Sequence, residues 1–243
     1  CPQKASKTIP SYKLLIDKEV DMIFVPYASA EVLKLAKKAG VKLEFYPIAA
    51  EALVFITPAA NEAENISMQQ IRDIYLNYGI TNWSKLGGPN YKLVPICRNP
   101  DSGSQSQMDN LILENRPMHA KIEKNHVELT MEGMLEQVAF YHTGGLSGRQ
   151  TKSYALGYTL YTYLKNIGEI TGIDRELKML AFEGIVPNED TIANGTYPLA
   201  DAYYAVIRSE LPKDHSARTI ITWLKDDAGR AMLENLNYII IDN

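Results

Sequence analysis

Short apolar runs alternate with amphipathic segments along most of the chain, and this alternation is the strongest constraint on its fold. VDMIFV, residues 20–25, is typical of a buried strand, and the following segment ASAEVLKLAKKAG predicts a helix that ends at Gly40. Leu33 and Ala36 are expected on the buried face of that helix. KLEFYPI and ALVFIT, residues 42–48 and 52–57, predict two further strands. This succession predicts an α/β fold in which helices flank mixed sheets.

A second helix is indicated by the segment NEAENISMQQIRDIYLN, residues 61–77. Ser67 and Gln70 have the spacing of a capping box, in which each side chain bonds the backbone of the other residue. The apolar stripe that follows is made of Met68, Ile71, Ile74 and Tyr75.

The alternation continues in the second half of the chain. Further strands are predicted for KLVPIC (92–97), YALGYTLYTY (154–163), ELKMLAFEGI (176–185) and YYAVIR (203–208), and a helix for MEGMLEQVAFY (131–141). SARTIITWLKDDAGRAMLENL predicts a long helical region that is interrupted near Gly229. Cys97, which ends KLVPIC, is expected to be a buried and unreactive thiol.

Charge and apolar run length argue against two classes of partner. The 25 basic and 29 acidic residues give a net charge of −4, so the chain lacks the basic field that concentrates nucleic acid or anionic lipid. No apolar run approaches the roughly 20 residues that cross a bilayer, and CPQKASKTIPSYK at the start lacks the regions of a signal peptide. We expect neither nucleic acid nor a membrane surface as a partner.

The cysteines and histidines do not form a recognisable metal site. With only Cys1 and Cys97, neither a disulfide scaffold nor a cysteine cluster is available. Cys1 has three interpretations: a lipid-modified mature N-terminus, a processing boundary, or a disulfide partner of Cys97. Ligand spacing is also lacking among the histidines, which are His119, His126, His142 and His215. We expect no metal and no cofactor.

Motifs of enzymatic chemistry are not matched either. SGSQS lacks the glycines of a nucleophile elbow. HTGGLSGRQ, residues 142–150, has no Walker lysine and does not match a dinucleotide-binding loop, so a hinge or surface loop is favoured. The tyrosines of residues 154–163 and the two tryptophans are best explained by packing. The chain is therefore not expected to be an enzyme.

RNPDSGSQSQM, residues 98–108, has two interpretations. Ser102 and Gln105 have capping-box spacing, so a helix should begin at about Gly103. Its free N–H groups, the hydroxyls of Ser102 and Ser104, and the planar guanidinium of Arg98 then form a nest for phosphate or sulfate. The alternative is ordinary helix capping with Arg98 paired to a carboxylate such as Asp101.

Several motifs occur in an order that resembles a known family. They are ENISMQQIRDIYLNYGITNWSKLGG, RNPDSGSQ, YALGY, GTYPLADAYYAVI and WLKDDAGRAMLENLNYIII. The same order is found in the phosphate-binding, PstS-like solute-binding proteins of ABC transporters. The resemblance covers most of the chain from about residue 12 onward.

The resemblance implies a two-lobed, type II periplasmic-binding-protein-like fold that closes on an oxyanion. It implies one lobe from residues 1–57 and 197–243, with its N-terminal part incomplete, and a second lobe from residues 58–196. In the family an arginine and a Ser-Gly-Thr/Ser loop bind the anion, and these roles pass to Arg98, Ser102, Gly103 and Ser104. The implied partners are inorganic phosphate or a similar oxyanion and an ABC transporter permease. A monomer outside the cytoplasm, at the cell surface or in the periplasm, is expected.

Two departures from the family pattern concern the anion. Family members have an acidic residue that accepts the proton of hydrogen phosphate, where this sequence has Val25, Pro26 and Tyr27. They also begin with a strand and a Gly-Ser-Thr-like loop that supplies anion ligands from the first lobe, and no counterpart is found here. These departures keep a second function open: a ligand sensor or degenerate binding domain with another anion or none.

Overall fold

The computed structural model of the protein describes residues 6–141 and 152–241. Its α-helices are α1 Thr8–Ile16, α2 Ala30–Lys38, α3 Met68–Arg72, α4 Gly103–Gln107, α5 Ala120–Asn125, α6 Met131–Phe140, α7 Tyr161–Thr171, α8 Glu189–Ala193, α9 Ser216–Leu224 and α10 Asp227–Asn235. Helices α3 and α4 continue into π-helical turns, Asp73–Asn77 and Met108–Leu113, and two 3₁₀ turns span Trp83–Leu86 and Ile173–Glu176.

The strands build one large mixed sheet and two small ones. They are β1 Met22–Pro26, β2 Leu43–Pro58, β3 Asn65–Ile66, β4 Lys92–Pro95, β5 Cys97–Arg98, β6 Val127–Glu128, β7 Ser153–Leu160, β8 Leu177–Met179, β9 Ala181–Phe182 and β10 Ala200–Arg208. The large sheet has the order β1-β10-β2-β7-β4, and β8 also pairs with β2. Within it β4 and β7 are parallel and the other pairs antiparallel. The predicted α/β fold with mixed sheets is confirmed.

Strand β2 lies in the middle of this sheet and connects its two halves. Its residues from Leu43 to Ala52 pair with β10, and those from Leu53 to Ile56 pair with β7. The sequence predicted two separate strands here, which is wrong. The residues between them, Ala49–Glu51, remain extended because β10 continues to pair with them through Asp201–Tyr203.

Buried apolar residues form separate clusters on either side of this junction. One cluster contains Phe55, Trp83 and Tyr158 and surrounds β2 after Ala50, β4 and β7. A second holds α1 and α2 against β1, with Tyr12 and Val25 at its centre, and a third packs α9 on the opposite face of β10. The sheet is therefore packed by three separate buried clusters.

The predictions that rested on helix-capping residues were confirmed. The capping box of Ser67 and Gln70 is present in both directions, and Gly40 follows α2 with a φ of 68°. Helices α9 and α10 are separated at Lys225–Asp226, four residues before the predicted interruption at Gly229.

Three predictions of orientation or extent were wrong. In α2 it is Val32 that is buried with Ala36, whereas Leu33 is 38% exposed. β7 ends at Leu160, so Tyr161 and Tyr163 lie in α7. KLVPIC is divided between β4 and β5, because Lys92–Pro95 pair with β7 while Cys97 and Arg98 pair with β6.

Candidate functional site

The segment Arg98–Ser104, called the anion loop below, connects β5 to α4. Ser102 is the N-cap of α4, and its Oγ accepts a hydrogen bond of 3.2 Å from the Gln105 N–H. The predicted helix start at Gly103 is confirmed, but the capping box is only half made. The Gln105 side chain does not return to the backbone of Ser102 and contacts Asp109 and Tyr158 instead.

Arg98 and Ser104 bring unsatisfied donors to this loop. Arg98 is only 4% exposed, and its Nε donates to the Glu128 carbonyl at 3.2 Å, but its Nη1 has no partner among the described residues. The hydroxyl of Ser104 is fully buried and also has no partner in residues 6–141 and 152–241. Burial lowers the pKa of Arg98. Two buried donors without acceptors are costly in a folded protein, so they mark a place where a ligand acceptor would be stabilising.

The structure does not support the alternative in which Arg98 is neutralised by Asp101. Among the described residues, the Arg98 side chain donates to a backbone carbonyl and is part of no ion pair. The charge of Arg98 is therefore uncompensated by a carboxylate at hydrogen-bonding distance in this part of the chain. An arginine held this way is suited to an incoming anion.

The N-terminus of α1 lies against the anion loop. A Cβ built on Gly103 would be 3.0 Å from Thr8 Oγ1 and 2.9 Å from Pro26 Cγ. Thr8 opens α1, whose N-cap Lys7 makes no side-chain capping bond. Two helix N-termini thus meet at Gly103, and each has a partial positive charge that favours an anion.

Thr8 lies beside the anion loop, and the sequence analysis missed it as a candidate site residue. A signal was present, because Pro10 follows Thr8 by two positions, and proline is tolerated in the first turn of a helix. The start of α1 was therefore predictable, but its proximity to Gly103 was not. Of the predicted site residues, Arg98 ends β5, Ser102 is the N-cap of α4, and Gly103 and Ser104 are in its first turn.

The neighbouring aromatic residues are mostly part of the packing. Tyr27 packs on Phe45, with ring centroids 4.7 Å apart, and Trp83 is fully buried with its Nε1 bonded to the Tyr154 carbonyl. Tyr158 is the exception, because its hydroxyl contacts the backbone of Arg98. Cys1, His142 and the segment HTGGLSGRQ lie outside the described residues.

Cys97 is buried as predicted, next to Arg98. It is 3% exposed, and burial raises the pKa of its thiol to about 12. In residues 6–141 and 152–241, no helix has both the length and the apolar character needed to cross a membrane.

Comparison with known proteins shows the family of the chain. A family model described as a PBP superfamily domain matches residues 5–227. The chain belongs to the PBP superfamily. The solved structures similar to this superfamily member include an ABC-type phosphate transport receptor from Vibrio cholerae. That structure is 21% identical, with a TM-score of 0.69, over 96% of this chain and 85% of the receptor.

The relatives of this PBP superfamily protein also include phosphate-binding proteins. The phosphate-binding protein PstS of Borreliella burgdorferi is 25% identical over 216 residues, which are 88% of this chain and 71% of that protein. The crystal structure of PstS from Borrelia burgdorferi has a TM-score of 0.59 and 23% identity, over 96% of this chain and 83% of that one. The predicted type II fold and the resemblance to PstS-like proteins are confirmed.

Proposed function

We propose that this protein is an extracytoplasmic solute-binding protein that captures an inorganic oxyanion, phosphate first among them, for an ABC transporter. Its work is binding, without bond chemistry and without a cofactor. The observation that carries the proposal is a pair of buried donors in the anion loop, Arg98 Nη1 and Ser104 Oγ, which have no hydrogen-bond partner in the described part of the chain. The names of the relatives, a phosphate transport receptor and PstS, support phosphate as the anion.

We assign the ligand contacts to Arg98, Ser102, Gly103, Ser104 and Thr8. The guanidinium supplies the charge, the hydroxyls of Ser104 and Thr8 supply donors, and Gly103 lets the anion approach the backbone. Ser102 has a divided role, because its Oγ already accepts the Gln105 N–H and only its hydroxyl hydrogen remains to donate.

The two lobes are proposed as residues 1–57 with 197–243 and residues 58–196. The separate buried clusters and the change of partner along β2 support two lobes; the partner changes at Ala52–Leu53, five residues before the proposed boundary, and the first cluster includes Leu53, Phe55 and Leu199 of the first lobe. Closure of the lobes on the anion would keep the N-termini of α1 and α4 in the contact seen at Gly103, and a closed, ligand-loaded monomer would then be recognised by the permease.

A second candidate is favoured by the chemistry of the loop. Among the described residues, no carboxylate makes a hydrogen bond or ion pair with Arg98, and β1 ends in Val25 and Pro26, with Tyr27 directly after it. A site built only of N–H and hydroxyl groups does not select a protonated oxyanion by a carboxylate acceptor. The alternative is therefore a ligand sensor or degenerate binding domain with another anion or none.

Isothermal titration with phosphate, sulfate and a neutral sugar tests the proposal. We expect one equivalent of phosphate to bind and the sugar not to bind. Arg98→Ala should weaken phosphate binding about 10- to 100-fold, the size of a lost hydrogen bond to a charged group. Arg116→Ala is the matched control, because this half-exposed arginine pairs with Glu114 and should leave affinity unchanged.

Three results would count against the proposal. Arg98→Ala binding phosphate as tightly as the parent would remove the site assignment. Preference for sulfate, or no heat with either anion, would favour the sensor or degenerate domain.

A further inference from the structure

A buried chain of hydrogen bonds leads from Asp109 to the backbone of Arg98. Gln105 Nε2 donates to Asp109 Oδ1 at 2.8 Å. The Tyr158 hydroxyl donates to Gln105 Oε1. The Arg98 backbone N–H donates to the same hydroxyl at 2.9 Å. Tyr158 is fully buried, Gln105 is 7% exposed and Arg98 is 4% exposed. These four residues are called the relay below.

The relay links four elements, of which only β7 is distant in the sequence from the other three. Asp109 belongs to the π-helical turn after α4, Gln105 to α4, Tyr158 to β7 and Arg98 to β5. The Tyr158 ring is packed edge-on between Phe55 and Tyr75. The hydroxyl of Tyr158 therefore has little freedom to move away from Arg98.

Asp109 determines the direction in which every bond of the relay runs. An ionised carboxylate only accepts hydrogen bonds, so the Gln105 amide must turn its Nε2 toward Asp109. The amide oxygen then faces Tyr158, and the hydroxyl hydrogen is directed to that oxygen. A lone pair of the hydroxyl is left to accept the Arg98 N–H. Without the carboxylate, the amide could turn over and compete with Arg98 for the hydroxyl.

We propose that Asp109 is a positioning residue of the anion loop, which acts through Gln105 and Tyr158 to hold the Arg98 backbone. The held backbone, together with the Glu128 carbonyl at Nε, fixes the direction of the Arg98 guanidinium. This inference rests on the proposed function only for its ligand readout. Asp109 would then be part of the proposed site although it does not contact the anion.

The surroundings of Asp109 support a role for its charged form. Asp109 lines a cavity of about 590 Å³ that also contains Glu123 and Arg116. Burial and the nearby Glu123 raise the pKa of Asp109 to about 6, against the lowering effect of the Gln105 bond. At pH 7.5 the carboxylate is therefore the main form. A partly buried negative charge near an anion loop opposes anion binding, so its presence there indicates a structural role.

The direction of the change in phosphate affinity distinguishes a positioning role of Asp109 from a purely electrostatic effect of its charge. Removal of a negative charge close to the anion loop would by itself strengthen anion binding. Positioning predicts the opposite for Asp109→Leu, which preserves volume but cannot accept a hydrogen bond. We expect phosphate affinity to fall about 10-fold, the effect of one misplaced hydrogen-bonding group. Asp109→Asn retains an acceptor oxygen and should restore affinity to within about 3-fold of the parent.

Glu123→Gln is the matched control, because it removes a charge from the same cavity without touching the relay. Its affinity should equal or exceed that of the parent. Tyr158→Phe breaks the relay at its other end, so combined with Asp109→Leu it should weaken binding little further than either change alone. Fully additive losses would overturn the relay.

Hydrogen exchange of the Arg98 amide gives a readout that needs no ligand. In the parent and in Asp109→Asn the amide should be protected, and in Asp109→Leu its exchange should be about 10-fold faster. If the parent binds neither anion, the proposed function fails while this measurement still decides the relay. Unchanged exchange in Asp109→Leu, or an Asp109→Asn protein as weak as Asp109→Leu, would refute the positioning role.

Discussion

Glu51 shows how one residue ties stability to pH. It is 4% exposed in the middle of β2, and its Oε1 accepts N–H groups of Ala52 at 2.9 Å and of Thr162 at 3.1 Å. Thr162 is in the first turn of α7, so the carboxylate caps that helix from another element. Burial nevertheless dominates these bonds and raises the pKa of Glu51 to about 7.

Glu51→Gln should change the pH dependence of unfolding. The folded-state pKa is above the unfolded value of about 4.3, so the folded protein binds this proton more tightly. This proton therefore contributes to the free energy of unfolding below pH 4.3, and the contribution is lost as pH rises through 7. The free energy of unfolding of the variant should match that of the parent near pH 4 to 5 and exceed it at pH 8 by up to about 3 kcal/mol. Urea unfolding at several pH values measures this, with the exposed Glu62→Gln as control; a difference that is flat with pH would contradict it.

At the level of elements, the boundary between α9 and α10 depends on a close backbone approach. Asp226 is the N-cap of α10, and its carboxylate accepts the Gly229 N–H at 3.0 Å. A Cβ on Gly229 would lie 2.1 Å from the Trp223 carbonyl oxygen and 2.5 Å from Leu224 Cα. Both are backbone atoms, which cannot move aside as a flexible side chain can.

Gly229→Ala should therefore destabilise the protein, although helix propensity alone predicts a gain of up to about 1 kcal/mol. Crowding of this kind in a packed region typically costs about 1–3 kcal/mol. Chemical denaturation of Gly229→Ala and of the exposed Ala228→Gly separates the two causes. A stabilised Gly229→Ala would show that the backbone approach is not maintained in solution.

At the level of the whole molecule, the anion loop lies between the first and the second buried cluster. Gly103 faces Thr8 and Pro26, Lys7 Nζ donates to the Leu129 carbonyl at 3.3 Å, and Asn110 Nδ2 donates to the Ala28 carbonyl at 3.3 Å. These contacts connect residues 7–28 to residues 103–129, segments that belong to different proposed lobes. A closed arrangement of the two helix N-termini requires that nothing bulky stands at residue 103.

Gly103→Ala should hold α1 and α4 apart. The added methyl group would be 2.9–3.0 Å from Pro26 and Thr8, closer than side-chain carbons normally approach. We expect phosphate affinity to fall about 10-fold or more, while the melting temperature without ligand changes little. Asn110→Ala is the control, since it removes a contact across the same boundary without adding bulk. Equal affinities of Gly103→Ala and the parent would show that this contact does not limit closure.

Much of the local structure was predictable because its causes are local. The capping box at Ser67, the helix start at Gly103 and the helix end at Gly40 each depend on residues within one turn. The prediction failed for β2 and for the side of α2 that is buried. Those features depend on β10 and on α1, which come from distant parts of the chain.

The sequence by itself determined the α/β class, the anion loop with its arginine, serines and glycine, and the resemblance to PstS-like proteins. Each of these is written in contiguous residues or in the order of motifs. Only the tertiary structure decided that Thr8 meets Gly103 and that Asp109 reaches Arg98 through Gln105 and Tyr158. Contacts between elements depend on how the sheet and helices pack, and no periodicity in one segment specifies its partner in another.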